Sequence, residues 1–325
     1  MIPSSDAVSI KRRQFIKYLA ITGASLASST SSLLTAAERS SNTPAQMSTD
    51  RQMRIIPSSG ELVPAIGLGS WLTFAIDVDD ESELTSRIAI LREFLKRGGG
   101  VLDSSPMYGV AEEVIGKGLK RIAKHDGLFS ATKVWTTGNR QGFIQMEESR
   151  QLWGVEQLDL MQVHNLLDWE THLPTLQTMK QQGDIRYLGV TTSHGRRHDE
   201  LEHIMRTQRL DFVQLTYNMI DREAEQSLLP LAKEKGIAVI VNRPFQRGGL
   251  FDKFEQYPLP AWANEIDCAN WAQFFLKFII SHPAVTCAIP ATSKIEHLRE
   301  NIAAGHGRLP DEGMRNRMLT YINDL

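Results

Sequence analysis

Val101-Leu102-Asp103-Ser104-Ser105-Pro106-Met107-Tyr108-Gly109 is the stretch from which both the fold and the chemistry can be predicted. An apolar strand, Val101-Leu102, delivers Asp103 at its end, and a Ser-Ser-Pro turn leads to Tyr108 beside a glycine. An unperturbed tyrosine has a pKa of about 10, but a nearby cation and carboxylate can lower it and make the phenol a general acid. Asp103 and Tyr108 therefore predict a lysine partner. The alternative is structural, with Tyr108 packed on a loop and Asp103 capping the next turn.

The composition is that of an ordinary globular protein. The chain has 325 residues, is 42% hydrophobic and 23% charged, and carries a formal net charge of −2. These values exclude the basic excess of a nucleic-acid-binding protein and an acidic tail. Cys268 and Cys287 are too few for a disulfide framework and lack the spacing of a metal site, so we expect two buried thiols rather than a bridge.

The first 37 residues resemble a twin-arginine export signal. The basic segment Arg12-Arg13-Gln14-Phe15-Ile16-Lys17 precedes a weakly apolar run that ends at Thr35-Ala36-Ala37. Serine and threonine interrupt that run well short of the ~20 residues of a membrane-spanning helix. We therefore expect a signal peptide at 1–37, a linker at 38–52 and a folded domain at 53–325, exported to the periplasm without a membrane anchor after processing. The alternative is a disordered basic tail on a cytoplasmic protein.

Strand-like and helix-like segments alternate through the rest of the chain. Eight apolar segments are predicted as strands: Ala65–Trp71, Val101–Leu102, Leu128–Lys133, Leu158–His164, Ile185–Thr191, Asp211–Tyr217, Ile237–Asn242 and Thr286–Pro290. The helices predicted late in the chain are Glu223–Lys235, Trp262–Ile280 and Lys294–Ala304. Because apolar strands that alternate with helices form a parallel sheet, eight such units predict an α/β fold, a (β/α)8 TIM barrel in a single domain.

Polar side chains stand at the ends of successive predicted strands, where the active sites of such barrels lie. Lys133 ends the third strand and is the lysine that Asp103 and Tyr108 require, and His164 ends the fourth. Thr191, Gln214 and Asn242, from the next three strands, fall on the same rim. Each residue alone has a structural explanation, such as a surface lysine or a hydrogen-bonded histidine. Their shared position favours a catalytic rim.

These motifs, in this order, resemble the aldo-keto reductase family over nearly all of the chain from about Arg54 onward. Asp103, Tyr108-Gly109, Lys133 and His164 match the family's catalytic tetrad. The later blocks that match are Gly189-Val190-Thr191-Thr192-Ser193, Gln214 with Tyr217-Asn218, and Ile289-Pro290 followed by Leu298, Glu300 and Asn301. The resemblance implies a barrel that binds a nicotinamide cofactor without the Gly-x-Gly-x-x-Gly loop of the dinucleotide fold.

The activity implied by the resemblance is NAD(P)H-dependent reduction of an aldehyde or ketone to an alcohol by hydride transfer. Tyr108 would donate a proton to the carbonyl oxygen, and Lys133, held by Asp103, would favour the phenolate that remains. His164 would hydrogen-bond the carbonyl oxygen and orient it.

The resemblance also implies a cofactor site on the same rim. Thr191, Thr192 and Gln214 would hold the carboxamide, with Asn242 near the ring face. The implied cofactor contacts are Gly69, Ser70, Trp71, Thr191, Thr192, Gln214, Asn242, Arg243, Pro244, Phe245, Arg247, Thr292, Glu300 and Asn301.

Three cofactor positions depart from the family pattern. Asn242 stands where many members have a stacking aromatic, Ala291 where many have a lysine for the 2′-phosphate, and His297 where many have an arginine. The cations that could compensate are Arg243, Arg247, Lys294 and Arg299. The family resemblance favours NADPH as the cofactor, with NADH as the alternative.

Trp71, Trp135 and Trp169 follow predicted strands on the same rim. They predict a substrate pocket for a carbonyl compound with an apolar or ring part, although aromatic residues that merely cover the barrel mouth would look the same. We expect a monomer with no nucleic-acid partner and no metal.

Two other functions compete with the reductase. A nicotinamide-binding redox sensor or accessory module with little turnover would not need the proton donor Tyr108. A barrel hydrolase would need paired carboxylates or a metal cluster on the rim, and the sequence offers neither.

Overall fold

The structure, a computed structural model, describes residues 51–122 and 124–325. The predicted signal peptide at 1–37 lies outside the described residues, as does the predicted linker at 38–52 apart from its residues 51 and 52. No helix in the described part of the chain combines the length and the apolar character needed to cross a membrane.

A short antiparallel hairpin precedes the main sheet. Strand β1 (Met53–Ile55) pairs with β2 (Leu62–Pro64). Ile56 and Val63 of the hairpin belong to the buried cluster inside the barrel. The hairpin therefore covers the end of the barrel at which the strands begin.

Eight parallel strands form one sheet and lie side by side in chain order. They are β3 (Leu68–Gly69), β4 (Gly100–Asp103), β5 (Leu128–Val134), β6 (Leu158–Val163), β7 (Ile185–Thr191), β8 (Phe212–Thr216), β9 (Ala238–Asn242) and β10 (Cys287–Ala288). Two parallel bridges, Ile66 to Ala288 and Gly69 to Ala291, join the first strand region to the last. The predicted (β/α)8 barrel is confirmed.

Helices connect the strands and cover the outer face of the sheet. They are α1 (Glu81–Lys96), α2 (Ala111–Ile122), α3 (Asn139–Trp153), α4 (Trp169–Gln182), α5 (His198–Thr207), α6 (Leu228–Lys235), α7 (Gly249–Phe254), α8 (Trp271–Ile280), α9 (Ile295–Ala303) and α10 (Glu312–Asn323). The first of them begins where the Asp80 carboxylate accepts the backbone N–H groups of Ser82 and Glu83, a typical N-cap.

The core has two parts because both faces of each strand are buried. In β6, Leu160 belongs to the cluster inside the barrel, whereas Met161 and Val163 pack between the sheet and the helices. Such strands need apolar residues at consecutive positions. This explains why they appear in the sequence as continuous apolar runs rather than as alternating patterns.

The helix predicted at 262–280 is wrong in its first half. A 3-10 helix covers Ala261–Ile266 and ends at Asp267, which adopts a left-handed conformation with a φ of 52°. The α-helix starts only after Asn270, whose side chain accepts the N–H of Gln273. Both pieces pack on the core and carry buried apolar residues, so hydrophobic spacing alone did not reveal two helices.

The helix predicted at 223–235 is also shorter than expected. A 3-10 helix takes Glu223–Glu225, and the α-helix begins after Ser227. The predicted helix Lys294–Ala304 is not the last helix of the chain, because Asp311 caps a further helix, α10, by accepting the N–H of Met314. Short polar residues that compete for backbone hydrogen bonds mark each of these boundaries.

Candidate active site

The C-terminal ends of three neighbouring strands bring the predicted catalytic residues together. Asp103 is the last residue of β4, Lys133 lies one position before the end of β5, and His164 directly follows β6. The 3-10 helix Pro106–Tyr108 adds Tyr108 after the turn. Asp103, Tyr108 and His164 line a cavity of about 720 Å³ at this end of the barrel.

Lys133 is buried in direct contact with Asp103. Its Nζ donates to Asp103 Oδ2 at 2.7 Å and to the carbonyl oxygen of Ser104 at 2.6 Å. Burial opposes the charged form of Lys133, but the Asp103 carboxylate and the Tyr108 phenol outweigh it and raise the pKa of Lys133. The site therefore holds a fixed positive charge, which lies 5.1 Å from the centre of the Tyr108 ring.

Two amide side chains hold the other oxygen of the Asp103 carboxylate. Gln214 donates to Asp103 Oδ1 at 2.8 Å, and Gln162 donates to the same atom at 3.3 Å. The oxygen of Gln214 in turn accepts from Asn242 Nδ2 at 3.3 Å, and Asn242 Nδ2 also donates to the carbonyl oxygen of Thr192 at 2.9 Å. Asp103 is therefore oriented by residues from three other strands, which fixes where Lys133 can sit.

The pKa of Tyr108 moves in the direction opposite to our expectation. Burial raises it, and this effect outweighs the Lys133 ammonium, which lowers it, while the Asp103 carboxylate adds to the increase. The expectation of a lowered pKa is wrong because it counted the charged neighbours and left out desolvation of the phenolate. Tyr108 therefore keeps its proton, which is the form that a general acid needs.

His164 is neutral in this site. Burial, with a smaller effect from the Lys133 ammonium, lowers its pKa to about 2. Its Nδ1 lies 2.8 Å from Ser105 Oγ, and its ring meets that of Tyr108 edge to face with the centres 5.8 Å apart. A neutral imidazole donates from one nitrogen only, so its tautomer decides what it offers to a ligand in the cavity.

Most of the residues implied as cofactor contacts line the cavity. These are Gly69, Ser70, Trp71, Thr191, Thr192, Gln214, Asn242, Arg243, Pro244, Phe245 and Arg247. Ala291, at the position of the missing lysine, also lines it and is exposed. Thr292, Glu300 and Asn301 lie outside the lining, and so does Arg299, which pairs with Glu93 at 2.8 Å.

The three tryptophans predicted for the substrate pocket are placed differently from one another. Trp71 lines the cavity, with its ring centre 6.5 Å from that of Tyr108. Trp135 is 43% exposed and its ring centre lies 6.4 Å from that of His164, but it does not line the cavity. Trp169 donates from Nε1 to Glu200 at 3.2 Å and also lies outside the lining. Only Trp71 is brought into the cavity wall.

Sequence reasoning missed several residues of the cavity wall. Asn165, His194, Arg196 and Arg197 follow the ends of β6 and β7 and line the cavity. Three of these four, all except Arg196, have positive φ angles between 52° and 64°, a strained backbone that is common at functional loops. Their position just after strand ends was the available signal.

The cavity is strongly basic. Among the described residues that line it are four arginines, Arg196, Arg197, Arg243 and Arg247, and one carboxylate, Asp103, which is already paired with Lys133. Arg197 is paired with Glu200, whereas Arg196 and Arg247 have no carboxylate partner among the described residues. The Arg247 guanidinium instead lies 4.7 Å above the centre of the Trp71 ring. This surplus of positive charge suits an anionic ligand.

Neither cysteine contributes to this chemistry. Cys268 and Cys287 are buried free thiols. Burial raises the pKa of Cys268 to about 12 and raises that of Cys287 still further, so neither is a thiolate nucleophile. In the described ranges no group of three or more His, Cys, Asp or Glu side chains is arranged to hold a metal ion.

Comparison with known proteins gives one consistent result. The model of the Aldo/keto reductase family matches residues 65–317. The aldo-keto reductase YhdN of Bacillus subtilis is 30% identical over 62% of this chain and 65% of its own length, and L-galactose dehydrogenase of Arabidopsis thaliana is 25% identical over 78% of this chain and 88% of its own. An aldo-keto reductase of Klebsiella pneumoniae, solved with NADPH, superposes with a TM-score of 0.69 at 25% identity, over 83% of this chain and 95% of that one.

Proposed function

Because the chain belongs to the aldo/keto reductase family of oxidoreductases, we propose that it reduces an aldehyde or ketone to an alcohol with NADPH as the hydride donor. The observation that carries this proposal is the buried Lys133 ammonium, which is bonded to Asp103 and lies beside the Tyr108 phenol. A protein that only bound a dinucleotide, without catalysing a reaction, would not need a protonated phenol next to a buried cation.

The cavity fits a phosphorylated dinucleotide. Its volume of about 720 Å³ lies within the usual range for cofactor sites, and Arg196 and Arg247 are cations without a carboxylate partner among the described residues. The Klebsiella pneumoniae relative was solved with NADPH, which supports the same cofactor here. Arg196, Arg243 and Arg247 would hold its phosphates, with Thr191, Thr192 and Asn242 nearer the nicotinamide. When bound, the nicotinamide supplies the hydride.

The chain's own residues handle the proton. Tyr108 donates its proton to the carbonyl oxygen of the substrate, and the Lys133 ammonium stabilises the phenolate left behind. Asp103, held by Gln162 and Gln214, keeps that ammonium in place. The high pKa of Tyr108 in the free protein keeps the proton available before substrate binds. Trp71 contributes an apolar wall, so the substrate is a carbonyl compound with an apolar or ring part.

The test of this proposal is turnover by the purified full-length chain. With NADPH and a panel of aliphatic, aromatic and cyclic aldehydes and ketones, we expect loss of the reduced-nicotinamide absorbance matched by alcohol formation. NADPH binding without reduction of any member of the panel would favour the redox-sensing or accessory module. Absence of NADPH binding would contradict both functions.

Ala291 is where we expect selectivity between NADPH and NADH to be adjustable. Ala291→Lys adds a cation to the cavity wall, so binding of the 2′-phosphorylated cofactor should strengthen relative to NADH by roughly 1.5- to 5-fold, as for an exposed ion pair. Fluorescence titration of both cofactors gives the ratio of dissociation constants. Ala303→Lys is the matched control, because Ala303 is exposed on α9 outside the cavity lining. Equal ratios in the two variants would remove Ala291 from the phosphate site.

We also propose that the chain is exported to the periplasm by the twin-arginine route. The support is the sequence Arg12-Arg13-Gln14-Phe15-Ile16-Lys17 and the small residues at Thr35-Ala36-Ala37. This route carries folded proteins, so the enzyme would leave the cytoplasm with its cofactor already bound. Free nicotinamide cofactor is scarce outside the cytoplasm, and a loosely held cofactor would be lost by dilution. The processed protein should therefore retain NADP(H) through purification.

Changing both arginines of the signal to lysine should keep the protein in the cytoplasm. The receptor recognises the arginine pair itself, so Arg12→Lys with Arg13→Lys should abolish export although the charge is unchanged. Cell fractionation followed by immunoblotting measures the periplasmic share. Lys11→Arg is the control, since it is equally conservative and lies outside the pair. Equal periplasmic amounts of all forms would mean that the arginine pair is incidental, and absence of every form from the periplasm would mean that the reductase is cytoplasmic.

A further inference from the structure

Ser105 connects the two side chains that face the carbonyl group in the proposed reaction. Its side chain is fully buried, and its Oγ accepts the backbone N–H of Met107 at 3.2 Å. This bond caps the 3-10 helix that carries Tyr108. The same Oγ lies 2.8 Å from Nδ1 of His164. One hydroxyl thus contacts both the element that presents the proton donor and the ring of the histidine.

The hydrogen bonds of Ser105 can be satisfied in only one arrangement. A serine hydroxyl has one proton to donate, and Met107 N–H already occupies an acceptor position on this Oγ. If His164 Nδ1 carried a proton, Ser105 would accept twice and its own proton would have no partner among the described residues, in a site without solvent access. If Ser105 donates to Nδ1, every one of these groups is satisfied.

We propose that Ser105 is a positioning residue that fixes His164 as the tautomer with its proton on Nε2, and so makes His164 a hydrogen-bond donor to the substrate oxygen. The proposal rests on the proposed function, because this donor is useful only if a carbonyl oxygen binds beside Tyr108. His164 lines the cavity, and no described residue forms a hydrogen bond with its Nε2. That nitrogen is therefore the one free to contact a ligand.

The tautomer has a direct chemical consequence. Because burial lowers its pKa to about 2, His164 is neutral near pH 7 and cannot donate from both nitrogens. A proton on Nε2 stabilises the negative charge that develops on the carbonyl oxygen. If the proton were on Nδ1, the unprotonated Nε2 would instead point its lone pair at the carbonyl oxygen, and the lone pair and the oxygen would repel each other. Ser105 thus favours the His164 tautomer that stabilises the carbonyl oxygen over the tautomer that repels it.

The tautomer can be measured in the full-length protein without any substrate. Heteronuclear NMR of the histidine ring nitrogens distinguishes a protonated nitrogen from an unprotonated one. His164 is identified among the nine histidines by the signal that disappears in His164→Gln. We expect Nε2 to be protonated and Nδ1 unprotonated across the neutral and mildly acidic range. A proton on Nδ1 in the wild-type protein would overturn the proposal by itself.

Two substitutions connect the tautomer to Ser105. Ser105→Ala removes the donor to Nδ1, so we expect a mixture of His164 tautomers. The fall in kcat should be about twofold if the two tautomers are equally populated, and should approach about 10²-fold if the oxyanion donor is lost completely. The cofactor Kd should be nearly unchanged. Ser105→Thr keeps the hydroxyl, and the extended backbone at this position, with a φ of −167°, suits a β-branched residue. It should restore both the tautomer and most of kcat.

The outcomes separate this role from a purely structural one and from the proposed function. Loss of the helix cap alone would lower the melting temperature of Ser105→Ala without changing the His164 signals, and that result would overturn the proposal. Nε2 protonation in the wild type and in Ser105→Thr, with a mixture in Ser105→Ala, would support it. A wild-type protein that reduces no carbonyl compound would count against the reductase function, while the tautomer measurement would still decide the hydrogen bonding of Ser105.

Discussion

Tyr108→Phe is expected to lower kcat for carbonyl reduction by about 10²–10⁴-fold, the usual contribution of a positioned general acid. The substitution removes one hydroxyl and leaves the ring, its edge-to-face contact with His164 and its packing on Trp71 in place. Folding and NADPH binding should therefore remain near those of the wild type. Single-turnover kinetics with NADPH already bound measure the chemical step directly.

The matched control for this variant is Tyr187→Phe. The Tyr187 hydroxyl hydrogen-bonds with Ser59 and Glu61 beside the hairpin, away from the cavity lining. Its removal should leave kcat within a few-fold of the wild type. If Tyr108→Phe also stayed within a few-fold on every reducible substrate, Tyr108 would not be the acid and another donor would have to be found.

Lys133→Met should cost nearly as much activity as Tyr108→Phe. Without the ammonium, nothing in the site stabilises the phenolate that proton donation leaves, and the pKa of Tyr108 should rise further. The two residues act as one unit, so Lys133→Met combined with Tyr108→Phe should be far less damaging than the product of the single losses. Losses in kcat that simply multiply in the double-mutant cycle would contradict the coupling.

Lys133→Met also leaves the Asp103 carboxylate buried without its cation, which is expected to cost about 3–5 kcal/mol of stability. Adding Asp103→Asn separates this effect from the chemistry, because the pair is then uncharged. We expect the combined variant to recover much of the melting temperature and none of the activity. Recovery of activity together with stability would mean that Lys133 acts only by keeping the barrel folded.

The arrangement of the barrel, and the meeting of the candidate catalytic residues at one end of it, could be predicted from the sequence. Apolar runs separated by helical patterns imply parallel strands, and parallel strands carry their C-terminal residues to one edge. Asp103, Lys133 and His164 were therefore expected at one site although about 30 residues separate each from the next, and the structure brings them there. The pattern is local, so a single sequence contains it.

Helix boundaries were less predictable for a related reason. The break between Ile266 and Trp271 separates two segments that pack on the same core, so buried apolar residues occur on both sides of it. Hydrophobic spacing reports which residues are buried, and it does not report where the backbone turns between two buried segments. The left-handed Asp267 and the cap at Asn270 decide that boundary.

The electrostatics of the site were decided by the tertiary structure alone. The sequence named the charged neighbours of Tyr108, but the direction of its pKa depends on how much water the surrounding strands and loops exclude, and that exclusion outweighs the nearby ammonium. In the same way, Gln162 and Gln214 hold Asp103 from positions 59 and 111 residues away along the chain. Ser105 meets His164 across 59 residues. Desolvation and hydrogen-bond direction are properties of the assembled surroundings of a group, so no single stretch of sequence contains them.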